Sequence, residues 1–151
     1  MAEREQLYAD DFKVGDRFEG AQNEVTEQSF EAFARITGDA HPIHYDEAYA
    51  RKTPFGARVA HGLLVMGMTA LGATPLSKRL DAAMIAFVSQ SCDFKRPVFI
   101  GDLLRSHFHV ESVDMEPAKG RGRIRFAVRL TNQRNETVLE GHHTYLLRAR
   151  T

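Results

Sequence analysis

VAHGLLVMGMTALGA, residues 59–73, is apolar almost all the way round and carries Gly62, Gly67 and Gly72 among its large side chains. A helix without a polar face has to be buried on most sides, so the stretch predicts a long central helix. Glycine weakens a helix interior by about 1 kcal/mol relative to alanine. Close packing of this helix against a sheet is the reading given to the three glycines.

On the C-terminal side of this stretch the period changes to two. In LLRSHFHVESV (103–113), Leu104, Ser106, Phe108 and Val110 face one way while Arg105, His107, His109 and Glu111 face the other. In GRIRFAVRLT (122–131), Ile124, Phe126, Val128 and Leu130 oppose Arg123, Arg125 and Arg129; in TVLEGHHTYLL (137–147), Leu139, Gly141, His143, Tyr145 and Leu147 form the more apolar face. With AMIAFVSQSCDF (83–94) before them, and turn signals at IGD, MEPAKGRG and NQRN, these segments predict an antiparallel meander of four strands with one wet face. A strand around DRFEGAQNEV (16–25) adds an edge. The expected fold class is α+β, a curved antiparallel sheet wrapped around the long apolar helix.

On the N-terminal side, Thr26 is placed to cap a helix whose Phe30, Phe33, Ala34 and Thr37 share a face, and Gly38 terminates it. Asp39 then falls on a loop. Pro42 excludes a regular helix through TGDAHPIHYDEAYA (37–50), while Asp46 starts a short second one that stops before Pro54.

Composition narrows the function. A chain of 151 residues, 43% hydrophobic and 26% charged, is expected to form one domain with a substantial core. Twenty basic residues balance twenty acidic ones, so no net field draws it to nucleic acid or an anionic membrane. The start, MAEREQLYADDF, lacks the apolar core of a secretory signal, and no apolar run reaches the length of a membrane span. A cytoplasmic protein is expected. Cys92 stands alone, which leaves no intrachain disulfide, no cysteine zinc cluster and no evident redox chemistry.

Three stretches in order, FARITGDAHPIHYDEAYA (33–50), PFGARVAHGLLVMGMTALGA (54–73) and FKRPVFIGDLL (94–104), resemble the MaoC-like, (R)-specific enoyl-CoA hydratase (hydratase 2) family of hot-dog-fold proteins. The likeness runs from about residue 10 to about residue 147. Its most specific part begins at Ile36, where the family pattern is aliphatic, small, Gly, Asp, any, Asn, Pro, aliphatic, His; His41 stands in the place of the Asn.

The resemblance implies reversible hydration of a trans-2-enoyl-CoA to an (R)-3-hydroxyacyl-CoA, by a homodimer with its acyl-CoA tunnel at the subunit interface. It implies no cofactor and no metal. Such a reaction needs an activated water, a proton for C2, and relief of the charge that gathers on the thioester oxygen. Asp39 and His44, five residues apart around a proline-bent loop, can converge on one water, and His44 suits proton transfer near neutral pH. Asp39 either acts as the base or orients the imidazole. The resemblance assigns the backbone N–H of Gly62 as oxyanion donor.

Other readings stay open beside these. Asp39 after Thr37-Gly38 is also an ordinary Asx-turn residue. His61 is either a buried hydrogen-bonded side chain or a pocket wall, and His41 is a possible specificity residue for a branched or carboxylated acyl group. Asp39, His41 and His44 have the composition of a two-histidine, one-carboxylate metal site, although proline disrupts the helical presentation such a pair needs. His142 and His143 point to opposite faces and make a poor chelate. Arg121, Arg123, Arg125 and Arg129 read as a solvated sheet face, with the phosphates of CoA as the alternative, and Met66 and Met68 read as core. The competing functions are an acyl-CoA thioesterase and a non-catalytic acyl-CoA-binding module.

Overall fold

The computed structural model describes residues 5–150, so the first four residues of the leader reading, and Thr151, lie outside it. Five strands, β1 (Arg17–Glu24), β2 (Met84–Phe94), β3 (Leu103–Glu116), β4 (Arg121–Thr131) and β5 (Thr137–Arg148), form one antiparallel sheet in the order β1-β3-β4-β5-β2. Only β3, β4 and β5 follow one another as a meander, so the expected four-strand run is corrected. β1 occupies the free edge of β3, with Phe18 opposite Phe108. The strand that precedes β3 in the chain is therefore displaced to the far edge, where β2 pairs with β5.

The alternation read from the strands holds. Leu104, Phe108, Val110, Ile124, Phe126, Val128, Leu130, Leu139, Tyr145 and Leu147 are all buried on one face, and Ser106 and His143 go in with them. Two apolar clusters result. The larger joins Phe108, Phe126 and Tyr145 to Phe12, Leu71, Leu76 and Leu80; Phe126 meets Phe12, Phe108 and Tyr145 edge to face, each at 5.9 Å between ring centres. The smaller gathers Val25, Phe30, Val65, Val98, Leu104, Leu130, Val138 and Leu139. On the outer face Arg121 and Arg123 pair with Glu116, and Arg125 with Glu111, in solvent-exposed contacts that bind the face to itself.

The helices are short. They are α1 (Glu27–Thr37), α2 (Pro42–Tyr45), α3 (Glu47–Ala50) and α4 (Gly62–Gly67). The long central helix is thus reduced to six residues, followed by turns and a 3-10 segment at Leu71–Ala73. The glycines withhold helix propensity, and Thr69 breaks the run by donating its hydroxyl to the Met66 carbonyl at 2.6 Å. Gly67 and Gly72 face open space, so close packing explains Gly62 alone. Within the single chain Val65 is buried and Leu63 is exposed, which corrects the expectation of burial on most sides. Met66 and Met68 pack against the smaller cluster, as core. Pro42 also departs from its reading: it opens α2 at the first helical position, where its missing N–H costs nothing. The α+β, hot-dog arrangement of the chain stands with these corrections. Among the described residues, no helix is long and apolar enough to cross a membrane.

Candidate active site

Helix α1 delivers the first candidate residue. Thr26 caps it, accepting the Ser29 N–H at 3.2 Å, and Gly38 ends it in the left-handed region at φ 77°, a conformation in which any Cβ is strained. The chain turns out at Asp39. Thr37 braces that turn, since its hydroxyl donates to the Phe33 carbonyl at 2.7 Å and accepts the Asp39 N–H at 3.2 Å. Asp39 Oδ1 in turn accepts the His41 N–H at 3.2 Å. Asp39 is therefore an Asx-turn residue, and the turn also aims its carboxylate.

His41 caps the next helix. Its Nδ1 accepts the Ile43 N–H at 3.2 Å, the part an asparagine Oδ1 would play at a helix start. The imidazole proton must then sit on Nε2. This cap presents His44 one turn later, and His44 Nδ1 lies 2.7 Å from the Val59 carbonyl. A carbonyl only accepts, so Nδ1 carries the hydrogen and Nε2 is left with the bare lone pair.

His61, the residue before α4, closes the site from below. It is 2% exposed, its ring stacks on His44 at 3.8 Å with 28° between planes, and its Nε2 is 2.8 Å from the Tyr45 hydroxyl. Burial first, and His44 second, hold the His61 imidazole below the ordinary histidine range, against a smaller opposing pull from Asp39. Polar atoms of Asp39, His44 and His61 all lie within 4.8 Å of one another.

That trio replaces the Asp39, His41 and His44 set considered from sequence, because His41 is spent on its cap. The two-histidine, one-carboxylate composition is thus carried by Asp39, His44 and His61, with one nitrogen of each ring taken up by a neighbour, His44 Nδ1 by the Val59 carbonyl and His61 Nε2 by the Tyr45 hydroxyl. Helix α4 begins at Gly62, whose N–H precedes any intrahelical acceptor. A Cβ on Gly62 would stand 3.1 Å from the Phe94 ring, so the glycine permits that aromatic to lie over the helix start. Beside it lies a cavity of about 330 Å³ lined by Phe55, Val59, Gly62, Val65, Phe94 and Val98, with Lys95 and Arg96.

Asp39, His44 and Gly62 were each singled out from sequence, as was His61 without a role. Tyr45, the Val59 carbonyl and Phe94 were missed. Tyr45 carried a signal, a hydroxyl directly after His44; a backbone carbonyl carries none.

The model of the MaoC like domain matches residues 11–133. The chain is 37% identical over 118 residues to a 3-hydroxybutyryl-CoA dehydratase of Methylorubrum extorquens, covering 78% of this chain and 71% of that one. It is 37% identical over 95 residues to an (R)-specific enoyl-CoA hydratase of Rhodospirillum rubrum, covering 63% of each. Among solved structures, a monoamine oxidase regulatory protein from Archaeoglobus fulgidus superimposes with a TM-score of 0.89 at 31% identity over 98% of both chains.

Proposed function

The chain belongs to the MaoC-like domain family, and on that premise we propose that it is a hydro-lyase acting on acyl thioesters. It adds water reversibly across a trans-2-enoyl-CoA to give the (R)-3-hydroxyacyl-CoA; the stereochemistry rests on family likeness. The observation that carries this reading is the gathering of Asp39, His44 and His61 within 4.8 Å, with His44 held so that Nε2 is bare.

Asp39 and His44 flank one water. As its oxygen bonds to C3, the proton it loses passes to this pair, and the pair returns a proton to C2. The electrons displaced toward the thioester oxygen meet the Gly62 N–H; one such donor is worth roughly 3 kcal/mol in the transition state. The cavity beside Gly62 offers the acyl thioester an apolar wall.

The absorbance of the conjugated enoyl thioester tests this directly, with crotonyl-CoA and a longer enoyl-CoA, Asp39→Asn as control, and free thiol followed in parallel. Loss of absorbance without thiol, abolished in the variant, is expected. Thiol release would instead make the protein a thioesterase, and acyl-CoA affinity without turnover would make it a binding module.

Two finer features belong to the same proposal. His41 keeps the asparagine's capping bond while its Nε2–H remains a free donor 6.2 Å, ring to ring, from His44, suited to a carboxylated or branched acyl group. Turnover of His41→Asn on short, medium and dicarboxylic acyl-CoAs checks this, and unchanged selectivity would remove His41 from the site. The whole chain acts as one domain in a homodimer joined through β2. That strand is a sheet edge exposing Met84, Ile85, Phe87, Val88 and Phe94, an apolar edge that isolated proteins avoid. Light scattering on the parent and on Val88→Lys checks the assembly.

A further inference from the structure

We propose that Tyr45 is a positioning residue for the hydration step, acting through His61 to hold the plane of His44; this rests on the hydratase reading above. The argument starts from one hydrogen. The Tyr45 hydroxyl has a single proton and three neighbours: the Phe30 carbonyl at 2.9 Å, the Asp39 carbonyl at 3.2 Å and His61 Nε2 at 2.8 Å. The carbonyls only accept, and the nearer of them, Phe30, is the place assigned to the tyrosine proton. With that proton so placed, His61 Nε2 carries its own hydrogen and donates it to the tyrosine oxygen.

This fixes the tautomer of a buried ring. His61 Nδ1 is left with a lone pair that is buried and without a hydrogen-bond partner among the described residues. It cannot rotate to exchange its nitrogens without losing the bond to Tyr45. Its face is thereby held against His44 at 3.8 Å. His44 is now held twice, at one edge by the Val59 carbonyl and on one face by His61.

His44 Nε2 is left free of the Val59 bond, and polar atoms of His44 and Asp39 lie within 4.8 Å of each other. Tyr45 also reaches the main chain of Asp39 itself and ties both to the carbonyl of Phe30 in the capped helix α1. Burial helps by keeping His61 neutral, so that a proton arriving at the pair finds no second cation facing His44.

A double-mutant cycle separates this role from general scaffolding, because a residue acting through another has no effect once the intermediary is gone. Tyr45→Phe removes the hydroxyl alone. Its kcat is expected to fall about tenfold to a hundredfold, the scale of a small misplacement of reacting groups, with KM within about threefold. In a His61→Ala background the same change is expected to cost less than about twofold. Additive losses, or a Tyr45→Phe enzyme as fast as the parent, would overturn the proposal.

The tautomers are read separately by long-range 1H–15N NMR of the parent, which must show His61 protonated at Nε2 and His44 at Nδ1. Tyr45→Phe should blur both assignments. A parent with His61 protonated at Nδ1 overturns the proposal even if the variant fails to fold. A parent that turns over no enoyl thioester defeats the hydratase reading, and the tautomer spectra still decide this one.

Discussion

His61 and His143 are buried almost equally, at 2% and 4% exposure, and each meets a tyrosine hydroxyl, yet their surroundings make them opposites. His143 has both nitrogens occupied. The ring hydrogen sits on Nε2, so Nδ1 accepts the proton of the Tyr145 hydroxyl at 3.2 Å. Nε2–H then donates to Thr69 Oγ1 at 3.2 Å, whose own hydrogen is already given to Met66. Every hydrogen in this chain has one place to go, and burial alone pushes the His143 imidazole down to about 4.

His61 has one nitrogen partnered and one bare, with a carboxylate and a second imidazole beside it. Loss of solvent exposure does not distinguish the two. What does is whether the hydrogen bonding closes upon itself: His143 clamps the segment after α4 to β5, whereas His61 faces Asp39 and His44.

The contrast breaks first at the site. Asp39→Asn or His44→Ala should lower kcat/KM by about a thousandfold or more, about 4 kcal/mol, with little change in urea midpoint. An active variant at either position would leave the half-satisfied histidine with nothing to serve.

Acid should reach His143 next. Its folded value lies below the unfolded one, 6.5, so the unfolded chain takes up the proton first and stability falls as pH drops from 6.5 toward 4. The loss is about 3 kcal/mol across that window. It is separate from the Glu116 ion cluster, whose carboxylate sits near 2 and yields only below its ordinary value of 4.5. Urea unfolding at several pH values measures it, and His143→Phe should flatten the slope between 6.5 and 4.

At neutral pH, His143→Phe strands the Thr69 and Tyr145 hydroxyls and should cost about 2 kcal/mol of stability, with kcat within about threefold of the parent. A collapse of kcat at unchanged stability would move His143 into the site. Smallest of all, Gly62→Ala forces the exposed Phe94 ring to give by a few tenths of an ångström. Turnover should fall by about severalfold, below 1.4 kcal/mol, and the thermal midpoint should barely move.

Much of this was legible in the chain. The strands' alternation named the buried faces residue by residue, Thr26 and Gly38 bounded α1 correctly, and the motif put Asp39 on the loop after α1 and His44 one short turn beyond it. These are local signals: a period, a cap, a terminator, a motif of fixed spacing. The apolar run at 59–73 misled because all-round hydrophobicity fixes neither the length of a helix nor which of its sides the same chain covers.

Sequence alone determined the strands, the buried face of β3, β4 and β5, the bounds of α1, and the loop that carries the acid. Only the tertiary structure decided the length of α4, the place of β2 at the far edge, and which histidine joins Asp39 and His44. The physical reason is the same in each case. A carbonyl at Val59 and an edge already taken by β1 act across long stretches of chain, and the direction of a hydrogen bond is settled only when donor and acceptor have met.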